Sequence, residues 1–393
     1  MENFVYYTPT KLVFGRDTEQ QVGALCREAG AKKVLLHYGG GSVIRSGLID
    51  RVKASLDAAG IAYVELGGAV PNPRLSLVRE GIELCRKEGV DFLLPIGGGS
   101  AVDSAKAIGY GVPYDGDVWE LYEKKAEPVS ALPLGCIVTL AATGTEMSNS
   151  SVITNEDGWK KRGLGHDLGR PHFAILNPEL TYTLPAYQTF CGCTDIMMHT
   201  MERYFTRTKH HALTDRFSEA LLRTVMHNST ILLKNPEDYN ARAEVMWAGS
   251  VSHNGLLNCG GDRGDWASHQ LEHELGGMFD VAHGAGLAAV WGSWARYVYR
   301  EDVQRFYEFA VNVMNCEPDI DDMDTVALAG IEAMERFFQL IGMPIRISEM
   351  GVELTEAQID ELAYKCSFER TRTVGTFKVL EEADLREIYR MAR

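Results

Sequence analysis

The order of apolar segments along the chain predicts an α/β N-terminal domain followed by an all-helical C-terminal domain. In the first half, short apolar runs alternate with amphipathic stretches, which is the order typical of a parallel sheet covered by helices on both faces. After Leu184-Pro185, strand-like runs become rare and long helical patterns continue to Arg393. Because 393 residues exceed what one compact core usually holds, we predict two domains, residues 1–185 and 186–393.

Short apolar runs are the predicted strands of the first domain, and three of them lead into segments that contain glycine. These runs are Lys32–Tyr38, Ile61–Leu66, Asp91–Gly97, Leu134–Leu140 and His172–Asn177. Amphipathic helices are predicted between the early strands, at Leu48–Ala59 and Leu75–Lys87, and a glycine follows each of them closely. The helical patterns of the second domain include Asp215–Leu233, Glu237–Val251, Val303–Val313 and Asp324–Ile341.

Composition excludes several classes of function. A net charge of −15 argues against a nucleic-acid partner or an acidic membrane surface. No run approaches the roughly 18 uninterrupted apolar residues of a membrane span, and the N-terminus lacks the pattern of a signal peptide. Eight cysteines are scattered without a disulfide framework, which is typical of a reducing compartment. We therefore expect a cytoplasmic protein with neither a nucleic-acid partner nor a membrane partner.

The segment GGGSAVDSAK, Gly97–Lys106, follows a predicted strand and opens a helix. Glycines there let backbone N–H groups approach a phosphate, and the helix dipole favours its negative charge. An ordinary tight turn is the alternative interpretation. Another predicted strand end, TLAATGTEMSN at Thr139–Asn149, is polar and contains glycine. Its hydroxyls are candidates for contacts with a cofactor that carries such a phosphate.

The loop after the first predicted strand indicates which dinucleotide is preferred. A fold that selects NAD usually places an acidic residue at this strand end, where it binds the ribose 2′-hydroxyl. Here the chain has YGGGSVIR, with no acid and with Arg45 nearby. The absence of a carboxylate removes a charge that would repel the 2′-phosphate of NADP, so we predict that NADP(H) is favoured over NAD(H). A permissive loop that accepts both is the alternative.

A histidine-rich stretch in the second half is a candidate metal site. His269 and His273 are four residues apart, so they share one face of a helix, and His283 follows beside glycines. Upstream, Asp195 and His199 are also four apart in a helical pattern. Imidazoles and one carboxylate form a ligand set suited to zinc or ferrous iron. A chance grouping of surface or core histidines is the alternative.

These motifs, in this order, resemble the iron-containing alcohol dehydrogenase family. The chain is most similar to its branch of butanol dehydrogenases and NADPH-dependent aldehyde reductases, as YGGGSV, VPNPRL, TYTLP and DWASH indicate. The resemblance covers nearly the whole chain. It implies a dinucleotide-binding α/β domain and an all-α metal-binding domain, a fold shared with dehydroquinate synthase.

The resemblance also implies roles for individual residues. Metal binding, to one Fe²⁺ or Zn²⁺, falls to Asp195, His199, His269 and His283. His273 matches a position beside the metal, where it either relays a proton or packs in the site. The matches to the dinucleotide site are Gly39, Gly40, Gly41 and Ser42 at the adenosine ribose, Gly97, Gly98, Gly99, Ser100 and Asp103 at the pyrophosphate, and Thr139, Thr143 and Lys161 along the nucleotide. The chain departs from the usual TTAGTGSE, which reads TLAATGTE here, and has Ile196 where a small residue is common.

We therefore predict a metal-dependent, NAD(P)H-linked enzyme that interconverts short to medium aldehydes and primary alcohols. A metal can stabilise the negative charge that develops on the carbonyl oxygen, and the nicotinamide carries the hydride. A polyol dehydrogenase of the same fold is the main alternative, and a non-catalytic metal- and nucleotide-binding protein is a remote one. The apolar segments beside the ligands argue against the phosphorylated substrate of a dehydroquinate synthase. A homodimer is expected from the family.

Overall fold

The computed structural model describes residues 1–393 and divides the chain into two compact units. One unit is Tyr7–Leu184, and the other is Pro185–Arg393 together with Met1–Tyr6. The sequence-based division placed the first six residues in the α/β domain, whereas the structure groups them with the helical unit. Backbone hydrogen bonds explain this grouping, since Glu2 N–H donates to Gly260 O (2.9 Å) and the terminal amine donates to Lys209 O (3.0 Å).

The α/β unit is built on a six-stranded sheet in which every neighbouring pair is parallel. The strand order is β1-β8-β5-β4-β2-β3, and an antiparallel hairpin, β6–β7, forms separately. The strands are β1 (Lys11–Phe14), β2 (Lys33–Tyr38), β3 (Ala62–Leu66), β4 (Phe92–Gly97), β5 (Gly135–Val138), β6 (Ser150–Asn155), β7 (Lys160–Gly165) and β8 (Phe173–Leu176). The helices are α1 (Val22–Glu28), α2 (Ser42–Arg45), α3 (Leu48–Ala59), α4 (Leu75–Glu88), α5 (Gly99–Gly111) and α6 (Trp119–Tyr122).

The parallel sheet predicted from alternating apolar and amphipathic segments is confirmed. All five predicted strands are present, and β4 is buried along its whole length, as expected for a strand covered on both faces. The edge strand β1 and the hairpin β6–β7 were not predicted. Half-exposed KLVF and the polar KKRGLG lack the continuous apolar run by which the other strands were recognised.

The second unit is entirely helical apart from turns and an isolated bridge. Its helices are α7 (Ala186–Tyr204), α8 (Ala212–Leu232), α9 (Tyr239–His253), α10 (Ala267–Phe279), α11 (His283–Val298), α12 (Val303–Asn312), α13 (Met323–Leu340), α14 (Glu356–Cys366) and α15 (Glu382–Ala392). The glycine pair Gly276-Gly277 lies inside α10, which continues to Phe279 through a buried region where packing outweighs the low helix propensity of glycine. No helix in the structure combines the length and the hydropathy that a membrane span requires.

His37 is a buried titratable side chain in the central part of the sheet. It lies on β2, on the opposite face from Val34 and Leu36, and it has no exposed surface. Nδ1 lies 2.9 Å from Leu66 O, whereas Nε2 has no hydrogen-bond partner. Burial lowers the pKa of His37 from 6.5 to about 4, although the bond to Leu66 opposes the change. His37 is therefore neutral in the folded protein at neutral pH.

This buried histidine predicts acid lability. Between pH 6.5 and about pH 4 the unfolded chain binds a proton at His37 that the folded chain does not, so stability is present above pH 6.5 and is lost as the pH falls towards 4. The difference is equivalent to about 3 kcal/mol. We expect His37→Gln to flatten the dependence of the free energy of unfolding on pH in this interval, measured by urea denaturation. Exposed His227→Gln is the control, and an unchanged slope in His37→Gln would contradict the prediction.

Candidate metal centre and nucleotide site

Helix α7 supplies the first two residues of the predicted metal set. Asp195 and His199 are one helical turn apart, so both side chains project from the same face, and both are almost completely buried. Ile196, Met197 and Met198 lie between them and are fully buried in the helical unit. The substitution at Ile196, which departs from the family pattern, is therefore accommodated by core packing.

One oxygen of Asp195 is the point at which the histidines converge. Asp195 Oδ1 lies 3.5 Å from His199 Nδ1, 3.6 Å from His269 Nε2 and 3.6 Å from His283 Nε2. A tetrahedral ion with metal–ligand bonds of about 2.1 Å holds its ligands about 3.4 Å apart. Each of these nitrogens thus lies at about the distance from Asp195 Oδ1 that two ligands of one divalent metal require, and too far from it for a normal hydrogen bond.

Three of these four atoms have no hydrogen-bond partner. Asp195 Oδ1, His199 Nδ1 and His269 Nε2 are buried and accept or donate no hydrogen bond. Leaving several buried polar atoms unsatisfied is costly, and such atoms are rare in folded proteins. A bound cation would satisfy all of them at once, so the residues present fit a divalent metal.

Two glycines allow His283 to reach the cluster. His283 is the first residue of α11. A Cβ atom at Gly284 would lie 2.1 Å from Cys191 O of α7, and one at Gly286 would lie 2.8 Å from Glu272 Cγ of α10. Any larger residue at either position would push α11 away from its neighbours. Close helix packing therefore sets the distance between His283 and Asp195.

Buried carboxylates hold two of the histidines from behind. Glu202 Oε1 accepts from the backbone N–H of His269 and from its Nδ1, each at 2.9 Å, and Glu272 forms a short hydrogen bond with His283 Nδ1. Because an ionised carboxylate only accepts, each Nδ1 carries the proton and each Nε2 presents a lone pair towards Asp195. Carboxylate–histidine pairs of this kind fix the ring orientation and tautomer of metal ligands.

The electrostatics of the cluster favour a cation. Burial alone lowers the pKa of His269, but the carboxylates of Asp195 and Glu202 outweigh it and raise the pKa to about 9. In His199 burial dominates, and together with neighbouring His253 and His269 it holds the pKa well below the usual value. The carboxylates around His269 thus favour positive charge at that ring, whether a proton or a metal ion supplies it, whereas burial keeps His199 neutral.

His273 and His253 lie beside the convergent atoms. The ring of His273 is centred 5.9 Å from that of His283 and 6.4 Å from that of His269. The ring of His253, on α9, is centred only 4.3 Å from that of His199 in an edge-to-face arrangement. His253 was not predicted, because it is distant in sequence from all four predicted ligands. Glu202 was also missed, although it lies three residues after His199 on the same helical face.

In the α/β unit the predicted nucleotide loops lie at the carboxyl ends of neighbouring strands. Gly97 ends β4 and Thr139 follows β5, and Thr139 N–H donates to Gly97 O (2.9 Å). Gly99 begins α5, and a Cβ atom there would lie 2.5 Å from Thr143 Cγ2, so Thr143 packs directly on it. The sheet edge after the strands is where α/β folds bind ligands. Ser100 and Gly98 belong to the same turn, and Lys161 lies on β7 opposite Thr154.

The loop Gly39–Ser42 follows β2, the strand next to β4. Ser42 opens the short helix α2, which ends at Arg45. A Cβ atom at Gly41 would lie 2.5 Å from Arg45 Nη1, so the guanidinium group folds back over the glycines. Gly40 is exposed and has open space around it. The loop therefore presents backbone amides, one hydroxyl and one positive charge.

Comparison with known proteins identifies the family. Residues 9–178 match the family described as iron-containing alcohol dehydrogenase, and residues 189–393 match the C-terminal domain of the Fe-containing alcohol dehydrogenase family. The chain belongs to the iron-containing alcohol dehydrogenase family. The α/β and helical units thus correspond to the two domains by which the family is recognised, and the fold class predicted from sequence is confirmed.

Three relatives illustrate where the chain lies within the family. It is 40% identical to the probable NADH-dependent butanol dehydrogenase 1 of Bacillus subtilis over 99% of both chains. It is 35% identical to the NADPH-dependent aldehyde reductase YqhD of Escherichia coli over 90% of both. The crystal structure of NADH-dependent butanol dehydrogenase A from Thermotoga maritima superposes with a TM-score of 0.96 at 38% identity, covering 100% of this chain and 99% of that one. These likenesses confirm the predicted branch.

The geometry separates ligands from neighbours in a way that metal analysis can test. We expect His269→Ala and His283→Ala to lose the metal, because each removes one of the four convergent donor atoms. His273→Ala should retain the metal, because the His273 ring lies beside the four predicted donor atoms and supplies none of them. Glu202→Gln keeps an acceptor for the His269 backbone but loses the charge behind Nδ1, and we expect metal affinity to fall about tenfold. The measurement is a metal titration against a chelator with elemental analysis.

Glu244→Gln, on the exposed side of α9, is the matched control for the Glu202 variant. Full metal occupancy in His283→Ala would remove His283 from the ligand set. Loss of metal from His273→Ala would add His273 to it.

Proposed function

We propose that this protein is a metal-dependent alcohol dehydrogenase that reduces short to medium aldehydes to primary alcohols with NAD(P)H. The observation that carries the proposal is the buried, unpaired Asp195 Oδ1, which faces three imidazole nitrogens at 3.5–3.6 Å. The proposed ligands of the metal are Asp195, His199, His269 and His283. When bound, the divalent ion, iron or zinc, supplies Lewis-acid stabilisation of negative charge on a carbonyl oxygen. Full-length likeness to butanol dehydrogenases and an aldehyde reductase supports the substrate class.

The side chains of this protein prepare the site for hydride transfer. Glu202 and Glu272 hold the His269 and His283 rings in a single orientation, so that no reorganisation accompanies the build-up of charge on the substrate oxygen. A bound nicotinamide would supply a hydride for the carbonyl carbon, and the carbonyl oxygen would then need a proton. We propose that His273 delivers this proton, since it lies beside the ligands without being one of the convergent donors. Packing against the cofactor is its alternative role.

The surroundings of the cluster argue against a phosphorylated substrate. Arg203 is the basic group on α7 that adjoins it, and its guanidinium donates to His199 O (2.6 Å) and Asn258 Oδ1 (2.6 Å). Two of its N–H donors are thus engaged within the protein. Met278 and Phe279, at the end of α10, are half-buried apolar side chains. This chemistry favours an unbranched aldehyde over the cyclic phosphate ester of a synthase.

The proposed activity predicts a clear order of substrates. We expect a higher kcat/KM for butanal reduction than for glycerol oxidation, because apolar side chains rather than hydrogen-bonding groups adjoin the ligands. The measurement is an aldehyde and alcohol panel with NADPH and NADH on protein of known metal content, with His283→Ala as the inactive control. Faster glycerol oxidation would favour the polyol dehydrogenase, and the absence of any nucleotide oxidation would favour a binding protein.

A homodimer and a cytoplasmic location remain predictions, the first testable by light scattering.

We also propose that NADPH is preferred over NADH. Arg45 and the backbone amides of Gly39, Gly40 and Gly41 would bind a 2′-phosphate, and Ser42 adds a hydroxyl. On the neighbouring strand Glu65 is already engaged, since Tyr38 OH donates to it (3.0 Å) and Lys53 pairs with it (2.7 Å). That carboxylate is therefore not offered to a ribose. The names of the relatives include both cofactors, so the loop of this chain has to be tested directly.

Gly40→Asp tests this loop. Gly40 has negative φ and no atom within 4 Å of an added Cβ, so the backbone and the available space both accept a side chain. A carboxylate there would repel a 2′-phosphate, and we expect kcat/KM with NADPH to fall about tenfold or more, equivalent to about 1.4 kcal/mol, while the value with NADH changes little. Gly40→Asn has the same shape without the charge and should affect both cofactors equally. A wild-type protein that strongly prefers NADH would refute the proposal.

A further inference from the structure

Lys106, the last residue of the GGGSAVDSAK motif, is a buried cation. It lies inside α5 with 1% of its surface exposed. Its ammonium group donates to Thr145 O (2.7 Å), Thr145 Oγ1 (2.9 Å), Ser148 O (3.0 Å) and Ser150 O (2.8 Å). All of these acceptors belong to one segment, residues 145–150, which follows β5. Lys106 therefore gathers this segment around α5.

Asp103 lies three residues before Lys106 and holds the same segment through its carboxylate. Asp103 Oδ1 accepts from Thr145 Oγ1 (2.6 Å), and Oδ2 accepts from Val152 N (2.9 Å). The Thr145 hydroxyl thus lies between the two charges, accepting from Lys106 and donating to Asp103. Burial lowers the pKa of Lys106 to about 8, and Asp103 opposes this effect. The carboxylate of Asp103 is directed to protein groups beneath the glycine loop.

Contacts lead from Thr145 to the glycine loop. Thr145 N–H donates to Thr143 Oγ1 (3.3 Å), and the Thr143 side chain packs on Gly99, the first residue of α5. The first N–H groups of a helix have no partner within the helix and point towards its N-terminal end. The position of Thr143 over these groups is therefore set by Thr145, whose own position is set by Lys106 and Asp103.

A second connection leads to the hairpin. Val152, which donates to Asp103, lies on β6, and β6 pairs with the strand β7 that carries Lys161. The family resemblance assigns the Gly97–Ser100 loop, Thr143 and Lys161 to the dinucleotide. These three segments are distant in sequence, and a short series of hydrogen bonds and packing contacts connects each of them to the Asp103–Lys106 pair.

Stability alone does not account for this buried pair. Removing an ammonium and a carboxylate from water costs hydration free energy, and apolar side chains of similar volume often stabilise a fold equally well or better. What a fully hydrogen-bonded charge pair adds is directionality, because each partner must occupy one position. Here the position so defined is that of the Thr143 loop.

We infer that Lys106 is a positioning residue for dinucleotide binding, which acts through the Thr145 hydroxyl to hold Thr143 over the N-terminus of α5. The inference rests on the proposed function, since it presupposes that NADPH binds at this loop. The connection predicts that loss of the Thr145 hydroxyl weakens cofactor binding without altering the metal site, which lies on other residues.

The test compares substitutions on the same helix–strand interface in the metal-loaded full chain. Lys106→Met removes the cation, and Thr145→Val removes only the hydroxyl while keeping the shape. Thr145→Ser restores the hydroxyl. Ser151→Ala is the control, because the Ser151 hydroxyl donates to Asp103 O (3.0 Å) and contacts Tyr122 OH (2.5 Å), and neither partner belongs to the Thr143 loop. The measurements are the Kd for NADPH by fluorescence titration, the thermal midpoint, the metal content and steady-state kinetics.

We expect Thr145→Val to raise the Kd and KM for NADPH about tenfold, with kcat and metal content little changed. Thr145→Ser and Ser151→Ala should remain within about twofold of wild type in Kd, whatever their thermal midpoints. Equal Kd values for Thr145→Val and wild type overturn the inference, as does an equal rise in Thr145→Val and Ser151→Ala. If Lys106→Met does not fold, the Thr145 series decides. Failure of the wild-type protein to bind NADPH or NADH would instead overturn the proposed function.

Discussion

A single buried carboxylate oxygen organises the helical unit. Asp195 Oδ1 has three imidazole nitrogens at nearly equal distances and no hydrogen bond, an arrangement that is unfavourable unless a cation completes it. Helix α7 must therefore approach both α10 and α11 closely. Glycine at 284 and 286 makes this approach possible, since a methyl group at either position would collide with α7 or with Glu272. Helix packing and metal geometry are thus two aspects of one constraint.

The carboxylates behind the histidines extend that constraint outward. Glu202 accepts hydrogen bonds from the His269 ring and from its backbone N–H. Burial, together with the nearby charge of Glu202, raises the pKa of Asp265 to about 7. Asp265 in turn accepts from Thr376 N and Phe377 N, so the C-terminal loop is attached to the segment that begins α10. Precise placement of the ligands depends on these outer contacts, because a ring held on one side alone would rotate about its side-chain bonds.

The α/β unit uses charge in a related way. Lys106 and Asp103 lie beneath a glycine loop rather than at its surface, and their hydrogen bonds converge on Thr145. In both units, buried ionic groups specify where neighbouring segments lie, whereas apolar packing supplies most of the folding free energy. The difference lies in what satisfies the charge. The protein itself satisfies Lys106, whereas we propose that an ion completes Asp195 and its histidines.

The sequence by itself determined the class of the fold and most of the candidate sites. Apolar runs ending in glycine predicted the sheet, since buried parallel strands require continuous apolar side chains, and the four-residue spacing of Asp195 and His199 predicted a shared helical face. These are local properties, which a sequence records directly. Only tertiary structure decided the contacts of His253, Glu202 and Glu272 with the predicted ligand histidines, the hydrogen bonds of Lys106, the hairpin β6–β7 and the attachment of Met1–Tyr6 to the helical unit. Some of these features depend on contacts between residues far apart in the chain, and others on which of several polar side chains turns inward. The spacing of residue types along the sequence records neither property.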